Sequence, residues 1–344
     1  MAALAAAGVM CGYGGMAGWG VSVRRSVLMF LLFLGAQVIG RSYDTFCALA
    51  LAAVALLWKN PCLFWDAGFR FSFVAILGVV WVGQSISYEK KGMGALRGKI
   101  FAASAVWFTT LPLVAWYFYE IPVYAVFVNV LMLPMMGVLL GFGVTGGMAG
   151  LLSLTLAKGV LLPCRILLFM GNHICALAGM LPGAMWIVGR PWRWQITVYY
   201  AFLAAGTCFL RRQKARRERE KEYGRRAGIL LLAVLGVPRS GEAELDMLDV
   251  GQGDGCYLQT KEGYHLFVDG GSSNVGKVGT YRILPFLKYK GAKKIDCWVV
   301  THTDEDHISG LLEILSSGYP VEYLAVAEQM PRDENWEELE TLAE

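Results

Sequence analysis

The sequence predicts an α-helical polytopic membrane bundle followed by an α/β domain, and composition, charge and residue pattern all support this fold class. Hydrophobic residues make up 56% of the chain and charged residues 17%, and the mean hydropathy is +0.47. Soluble domains have roughly 45–50% apolar and about 25% charged residues. A single soluble domain is therefore excluded.

The charge divides the chain into a basic part and an acidic part. Residues 1–241 contain 23 Lys and Arg against 7 Asp and Glu, whereas residues 242–344 contain 8 against 20. Beyond residue 241 the long apolar blocks also give way to short alternating segments and tight turns. We therefore expect a transmembrane domain at 1–210, a polybasic loop with a short last hydrophobic segment at 211–241, and a water-soluble domain at 242–344.

Seven apolar runs in the first part are long enough, or nearly long enough, to span a hydrocarbon core of about 30 Å. They lie at about 26–40, 43–58, 69–87, 100–120, 123–141, 159–181 and 194–210. A shorter run at 227–237 is marginal for a crossing, since roughly 17 residues are usual. No basic residue precedes the apolar N-terminus, which therefore predicts a helix rather than a cleaved signal peptide.

Basic residues cluster in two loops of the membrane part. One lies at 88–99 and the other at 211–226, where nine Lys and Arg accompany three Glu. Short basic loops stay in the cytoplasm, so we expect both loops there and the acidic domain outside the cytoplasm. The second loop has an alternative reading as a contact surface for anionic lipid or for another polyanion.

Polar residues interrupt the apolar runs at Arg41, Asp44, Asp66 and Asn129. Polar groups at membrane depth face a bundle interior or a wet cavity, where they mark a transport path. The alternative is that Arg41, Asp44, Asp66 and also Glu120 lie at helix ends, among the lipid headgroups.

The acidic part reads as strands and helices in a definite order. Alternating or apolar segments at 243–250, 256–260, 264–271 and 295–300 predict strands. Helices are predicted before Gly291 and at 308–318, because each pattern ends in glycine. The stretch "THTDEDHISG" at 301–310 therefore follows a buried strand and precedes a helix, which is where ligand groups collect in α/β layers.

That stretch predicts a metal site. His302, Asp304, Asp306 and His307 bring two imidazoles and two carboxylates into six residues, and so much negative charge is costly without a cation. Such ligands suit Zn, Mn or Fe, and the spacing favours two ions. Asp269 ends the strand at 264–271 and is placed to reach the same face. The alternative is an acidic helix N-terminus without a metal.

Three motifs of the acidic part carry a family resemblance. They are "DVGQGD" with Asp249, Gln252 and Asp254, then "FVDGG" at 267–271, and then "THTDEDHISG". Together they resemble the metallo-β-lactamase-like domain of the ComEC/Rec2 family of DNA-internalisation proteins. The membrane part resembles the same family through Arg41 with Asp44, "DAGFRFSF" at 66–73, "NVLMLP" at 129–134 and "LPGA" at 181–184.

The resemblance implies a multi-pass protein of the cytoplasmic membrane that carries single-stranded DNA inward during natural transformation. Its C-terminal part would be a partial metallo-β-lactamase-like αββα domain acting as a nuclease with a divalent metal, Zn or Mn. By resemblance, His302 and Asp304 bind one ion, and Asp306, the catalytic candidate, binds a second with His307. Asp269 resembles the first-motif Asp of the fold. The implied partners are single-stranded DNA, membrane lipid, other competence machinery and a second copy of the chain.

The chain also departs from the family pattern. No histidine follows His307, although the fold draws further ligands from later strands. We therefore expect a piece of a longer protein that binds metal weakly and cleaves DNA poorly, and the sequence leaves open whether the chain is an enzyme. The alternative functions are a small-solute permease with a non-catalytic soluble appendage, and a non-functional fragment.

Overall fold

The computed structural model describes residues 2–83, 95–212, 231–236, 242–328 and 330–343. Most of the two basic loops predicted to be cytoplasmic, and part of the short apolar run at 227–237, lie outside the described residues. The chain forms two compact units. The first comprises Met1–Leu113, Val123–Ala184 and Tyr200–Ala227, and the second comprises Val114–Pro122, Met185–Tyr199 and Gly228–Glu344.

Helices account for nearly all of the first part of the chain, as the apolar runs predict. They are α1 Ala2–Met16, α2 Val21–Ile39, α3 Thr45–Lys59, α4 Ala67–Leu77, α5 Ala95–Phe118, α6 Ala125–Leu152, α7 Leu154–Met180 and α8 Arg193–Arg212. Among the described residues, α2, α6 and α7 are long and apolar enough to cross a membrane, and four shorter apolar helices accompany them. The predicted membrane bundle is confirmed by these helices.

Side-chain caps fix where two of the apolar helices begin. Asp44 accepts a hydrogen bond from the Cys47 N–H group at 2.7 Å and starts α3, and Asp66 accepts one from the Phe69 N–H group at 2.8 Å and starts α4. Such caps satisfy backbone donors that have no partner inside the helix. A short 3-10 helix, Pro61–Trp65, lies between α3 and α4.

The second unit is built on a five-stranded sheet. Its strands are β3 Glu244–Met247, β4 Gly255–Gln259, β5 His265–Asp269, β6 Cys297–Val300 and β7 Leu324–Val326, paired in that order. The pairs β3–β4 and β4–β5 are antiparallel, whereas β5–β6 and β6–β7 are parallel. Three helices follow strands in this unit: α9 Leu284–Lys290, α10 Glu305–Ser316 and α11 Glu334–Ala343.

The helices of the second unit cover one face of the sheet. Tyr257, Phe267 and Trp298 are paired across β4, β5 and β6 and are fully buried against Leu287 and Leu311. Successive strand residues alternate between faces, so the other face carries a second apolar set. That set includes Leu245 and Met247, which are 67% and 72% exposed. One sheet with helices on one side confirms the expected partial α/β domain.

A two-stranded sheet from the membrane part belongs to the second unit. Its strands, β1 Glu120–Pro122 and β2 Met185–Ile187, are antiparallel and follow α5 and α7. Glu120 forms an ion pair with Lys288 of α9 at 2.8 Å. The Arg190 N–H group donates to the Tyr289 carbonyl at 3.1 Å, and its guanidinium lies 5.6 Å from the Tyr289 ring centroid. These contacts join the two-stranded sheet to the α/β domain.

Candidate metal centre

The centre forms where two neighbouring parallel strands end. Phe267 of β5 pairs with Trp298 of β6, so Asp269 at the end of β5 lies beside the turn that begins at Thr301. Asp304 is the N-terminal boundary of α10 and has extended backbone angles. The turn between β6 and α10 therefore presents its side chains at the carboxyl edge of the sheet, as the sequence predicts.

Three of the predicted side chains converge. One ligand atom from each of His302, Asp306 and His307 lies within 4.8 Å of the others. The His307 Nε2 atom is 3.8 Å from Asp306 Oδ2, and the two imidazole centroids are 3.5 Å apart. This grouping differs from the two pairs, His302 with Asp304 and Asp306 with His307, that the resemblance implies. His302 Nε2 also lies 3.4 Å from the exposed carboxylate of Asp304.

Asp269, at the end of β5, contacts His307 of the converging group. It is 4% exposed, and its Oδ2 atom lies 3.1 Å from His307 Nδ1. Its Oδ1 atom accepts hydrogen bonds from the Thr301 N–H group at 2.8 Å and from Thr301 Oγ1 at 3.0 Å. Because Asp269 engages Nδ1, the Nε2 atom of His307 is left facing Asp306. Among the described residues, Asp269 lies outside the converging ligand group.

The "DVGQGD" loop packs against the same turn, with its three motif residues in different roles. Asp254 Oδ2 lies 4.0 Å from His307 Nε2, and the Asp254 N–H group points to the Asp306 carbonyl at 3.4 Å. The Gln252 N–H group donates to Asn274 Oδ1 at 2.8 Å, which anchors the loop. Asp249 instead forms an ion pair with Arg282 at 3.2 Å and is exposed. Only Asp254 of the three therefore reaches the ligand group.

Glycine allows these loops to approach α10 so closely. A Cβ atom on Gly271 would lie 2.4 Å from the backbone of Asp306 and of Glu305, and one on Gly253 would lie 2.5 Å from the Asp306 carbonyl oxygen. Real Cβ contacts are essentially never that short. The motif glycines therefore hold the two acidic loops against the first turn of α10.

The spacing of His307 and Asp306 in the ligand group suits a divalent ion. Ligands on one zinc-like ion each lie about 2.0–2.2 Å from it, so two of them are at most about 4.4 Å apart. The 3.8 Å between His307 Nε2 and Asp306 Oδ2 satisfies that limit. Asp254, Asp269, Asp304 and Asp306 surround only two imidazoles, and this excess of carboxylates favours a bound cation.

A second histidine environment in this domain lies away from the ligand group. His265 Nδ1 is 2.6 Å from the Tyr257 hydroxyl, and the His265 N–H group donates to Asp296 Oδ2 at 2.7 Å. Burial lowers the pKa of His265, Lys294 lowers it further, and Asp296 opposes the shift. Burial would raise the pKa of Asp296, but hydrogen bonds from His265 and Lys294 lower it overall.

The membrane candidates occupy different settings. Asp44 and Asp66 are the helix caps described above, which is the helix-end arrangement considered for them. Arg41 is exposed just beyond α2. Asn129 lies inside α6 and is exposed. Of these four, Asn129 is the residue placed within a helix long enough to cross a membrane.

Sequence reasoning missed two residues that hold the centre in place, Thr301 and Asn274. Thr301 begins the "THTDEDHISG" motif and links Asp269 to the histidine turn. Asn274 accepts hydrogen bonds from both the Gln252 N–H group and the Ser272 hydroxyl. The position of Thr301 beside the histidines was a signal for it, whereas nothing local marks Asn274.

Comparison with known proteins identifies both parts of the chain. Residues 1–213 match the family described as Competence protein, and residues 254–343 match the metallo-beta-lactamase superfamily. The chain is 25% identical to "ComE operon protein 3" of Bacillus subtilis (strain 168), over 91% of this chain and 42% of that protein. It is 28% identical to "Competence protein ComA" of Neisseria gonorrhoeae, over 87% of this chain and 40% of that protein.

The chain thus spans about two-fifths of the length of these curated relatives. No solved structure gives a significant match. Membership of the metallo-beta-lactamase superfamily implies use of a divalent metal, and the apolar helices make the chain a membrane protein. Since the family match covers residues 1–213 of 344, the chain belongs to the competence protein family and carries a metallo-beta-lactamase superfamily domain at its C-terminal side.

Proposed function

We propose that the protein takes part in DNA uptake for natural transformation, as a membrane component that carries single-stranded DNA across the cytoplasmic membrane. The observation that supports this most is the joining of competence-family helices to a lactamase-like domain whose acidic turn gathers His302, Asp306 and His307. A small-solute permease has no need of such a domain.

We propose that the domain is a partial nuclease-like domain that hydrolyses nucleic acid slowly with a divalent ion. His302, Asp306 and His307 would hold the ion, and Asp269 orients His307 through Nδ1. A divalent ion at this position would supply Lewis-acid polarisation of a phosphoryl oxygen and would lower the pKa of a bound water. Asp254 and Asp304, exposed at the rim, supply further carboxylate oxygens. A set rich in carboxylates favours a harder ion, so Mn is preferred over Zn.

The α/β domain lies outside the cytoplasm in this proposal. The strands β1 and β2, which follow α5 and α7, belong to the same compact unit as the domain. The helix pair α6 and α7 therefore leaves that side of the membrane and returns to it. Helix α5 follows the basic loop at 88–99, and helix α8 precedes the basic loop at 211–226. Basic loops stay in the cytoplasm, which supports a position of the domain on the opposite side of the membrane.

The test is disruption of the gene for this chain in its own cell, followed by exposure to labelled DNA. Labelled DNA bound at the cell surface should persist. Labelled DNA that is protected from added nuclease should be lost, and no transformants should form. The wild-type gene supplied in trans should restore both. Unchanged entry of DNA would contradict the proposal and favour the solute permease or the non-functional fragment.

The nuclease assignment has a separate test. A variant with His307→Ala, expressed in place of the wild type, should retain helix insertion but lose metal-dependent release of nucleotides from linear DNA. The matched control is His265→Ala, because His265 contacts Tyr257 and Asp296 rather than the ligand group. Equal nuclease activity in the wild type and the His307 variant would contradict the assignment.

A further inference from the structure

Helix α7, Leu154–Met180, carries a stripe of cationic, polar and aromatic side chains that no part of the argument above uses. Lys158, Arg165 and Asn172 are spaced seven residues apart, which is nearly two helical turns, so they share one face. All three are exposed. Phe169 lies one turn after Arg165 on that face and is 61% exposed. We call these four residues the basic stripe.

Arg165 lies near the middle of helix α7. It lies eleven residues after Leu154 and fifteen before Met180, or roughly 16 and 22 Å at 1.5 Å per residue. A hydrocarbon core is about 30 Å thick, so Arg165 lies near its middle. Only charged groups near helix ends can extend to the headgroups, so a charge this deep faces a bundle interior or a watery path.

The contact between α6 and α7 lies on a different face from the basic stripe. The Cys164 thiol contacts the Leu139 carbonyl at 3.5 Å, Gly146 lies against Leu161, and Gly171 lies against Met132. Cys164 and Arg165 are neighbours in sequence, and successive helical residues point about 100° apart. The helix pair therefore leaves the basic stripe uncovered.

No acidic side chain within the described residues neutralises the stripe. Helix α7 contains none, and neither Lys158 nor Arg165 takes part in an ion pair or side-chain hydrogen bond among the described residues. In the described part of the membrane helices, Asp44 and Asp66 are used as helix caps. Within the described residues, the positive charge of the stripe is therefore not balanced by an acidic side chain.

The position and residue types of the basic stripe favour one kind of ligand over the alternatives. Lipid phosphates lie at the surface of the hydrocarbon core, about 15 Å from its middle, and do not reach Arg165. A second copy docked through the same face would place cation against cation, since the helix carries no acid. Proteins that bind single-stranded nucleic acid combine cations that follow the phosphates with aromatic rings on which bases stack. Arg165 and Phe169, one turn apart, form that combination.

We propose that the basic stripe is a binding track for single-stranded nucleic acid, with Lys158 and Arg165 on phosphates and Phe169 under a base. Asn172 supplies amide hydrogen bonds at the end of the track. The inference rests on the proposed function and assigns residues to the path of the strand through the membrane. It gives α7 a role that differs from that of α6, which lacks basic residues.

The test measures binding of a fluorescent oligothymidine to the full chain in nanodiscs of zwitterionic lipid, with EDTA present, over a series of salt concentrations. Each phosphate contact with a single strand contributes about 0.7 to the slope of log K against log salt. The Arg165→Gln variant should therefore lose about 0.7 of the slope, and the Lys158→Gln/Arg165→Gln variant about 1.4. Arg165→Lys should keep the wild-type slope, because it keeps the charge.

Two control variants match these changes. Arg24→Gln removes the same charge from an exposed position near the start of α2 and should leave the slope unchanged. Phe169→Ala should weaken binding about 5- to 100-fold through loss of stacking. Met170 is an exposed neighbour that points about 100° away from Phe169 around the helix, so Met170→Ala should leave binding unchanged.

The outcomes separate the inference from the function on which it rests. If oligothymidine binding depends on salt in the wild type and the Arg165→Gln variant shows the same slope, the basic stripe is not the binding track. That result would not contradict the proposed role in DNA uptake. Loss of the slope in Arg165→Lys as well would also overturn it, because charge would not be the cause. Wild-type binding that is absent or independent of salt would remove the proposed function, and the inference with it.

Discussion

The Nδ1 atom of His307 lies 3.1 Å from Oδ2 of the buried Asp269, and this contact joins the turn after β6 to the end of β5. An imidazole held through one nitrogen has its other nitrogen fixed in direction. His307 Nε2 accordingly faces the carboxylates of Asp306 and Asp254. The geometry favours Asp269 as a positioning residue rather than as a ligand.

Replacing Asp269 with Asn should weaken binding of Mn or Zn by about 10- to 100-fold, as loss of an orienting partner does at other metal sites. Titration calorimetry of the full chain measures it. The control is Asp296→Asn, because Asp296 precedes β6 at the other end of the strand and contacts His265 and Lys294. Equal metal affinity in the wild type and the Asp269 variant would show that this contact does not position His307.

Replacing Gly271 with Ala should destabilise the centre by about 1–3 kcal/mol, because an added Cβ forces the loop away from the backbone of Asp306. Hydrogen exchange of the full chain, read over Glu305–Ser316, measures the loss of protection. Gly276→Ala is the matched control, since a Cβ there meets nothing within 4 Å. Similar exchange in both variants would mean that the close approach is not needed.

The stability of the α/β domain should fall as the pH falls through the titration of His265. Burial lowers the pKa of His265 below its ordinary value of 6.5, so between the two values the unfolded chain binds more protons than the folded one. Stability from this residue is therefore complete above about pH 6.5 and declines below it. His265 Nδ1 also lies 2.6 Å from the Tyr257 hydroxyl, so protonation of the ring acts directly on that hydrogen bond.

The measurement is thermal unfolding between about pH 7.5 and pH 5, followed for the wild type and for His265→Gln. The wild type should lose more stability on acidification, because the variant has no group that titrates at this position. The two proteins differ at this one residue, so the difference between the two curves is the quantity that matters. Parallel curves of stability against pH for the two proteins would show that His265 does not cause the loss of stability on acidification.

The position of the α/β domain relative to the basic loops can be read by cysteine labelling. In a background without the eight native cysteines, Lys261→Cys lies in an exposed turn between β4 and β5. An impermeant reagent should label it in intact cells. Gln213→Cys, in the second basic loop and outside the described residues, should react only after permeabilisation. Labelling of both positions from outside would contradict the proposed arrangement.

Much of the fold could be predicted because its signals are local. Apolar run length predicted helices such as Ala125–Leu152 and Leu154–Met180, and alternation predicted His265–Asp269. The run at 194–210 is less apolar than the others, and its helix, Arg193–Arg212, is not among those long and apolar enough to cross a membrane. Length and hydrophobicity depend on neighbouring residues alone, which is why the sequence suffices for them.

The sequence by itself determined which side chains are candidates for metal binding, since His302, Asp306 and His307 lie together in a single turn. Only the tertiary structure decided how they are held. The contact of Asp269 with His307 depends on the parallel register of β5 and β6, and that of Glu120 with Lys288 joins segments far apart in the chain. Contacts of this kind form when distant segments of the chain pack together, so they cannot be read from the type and spacing of neighbouring residues.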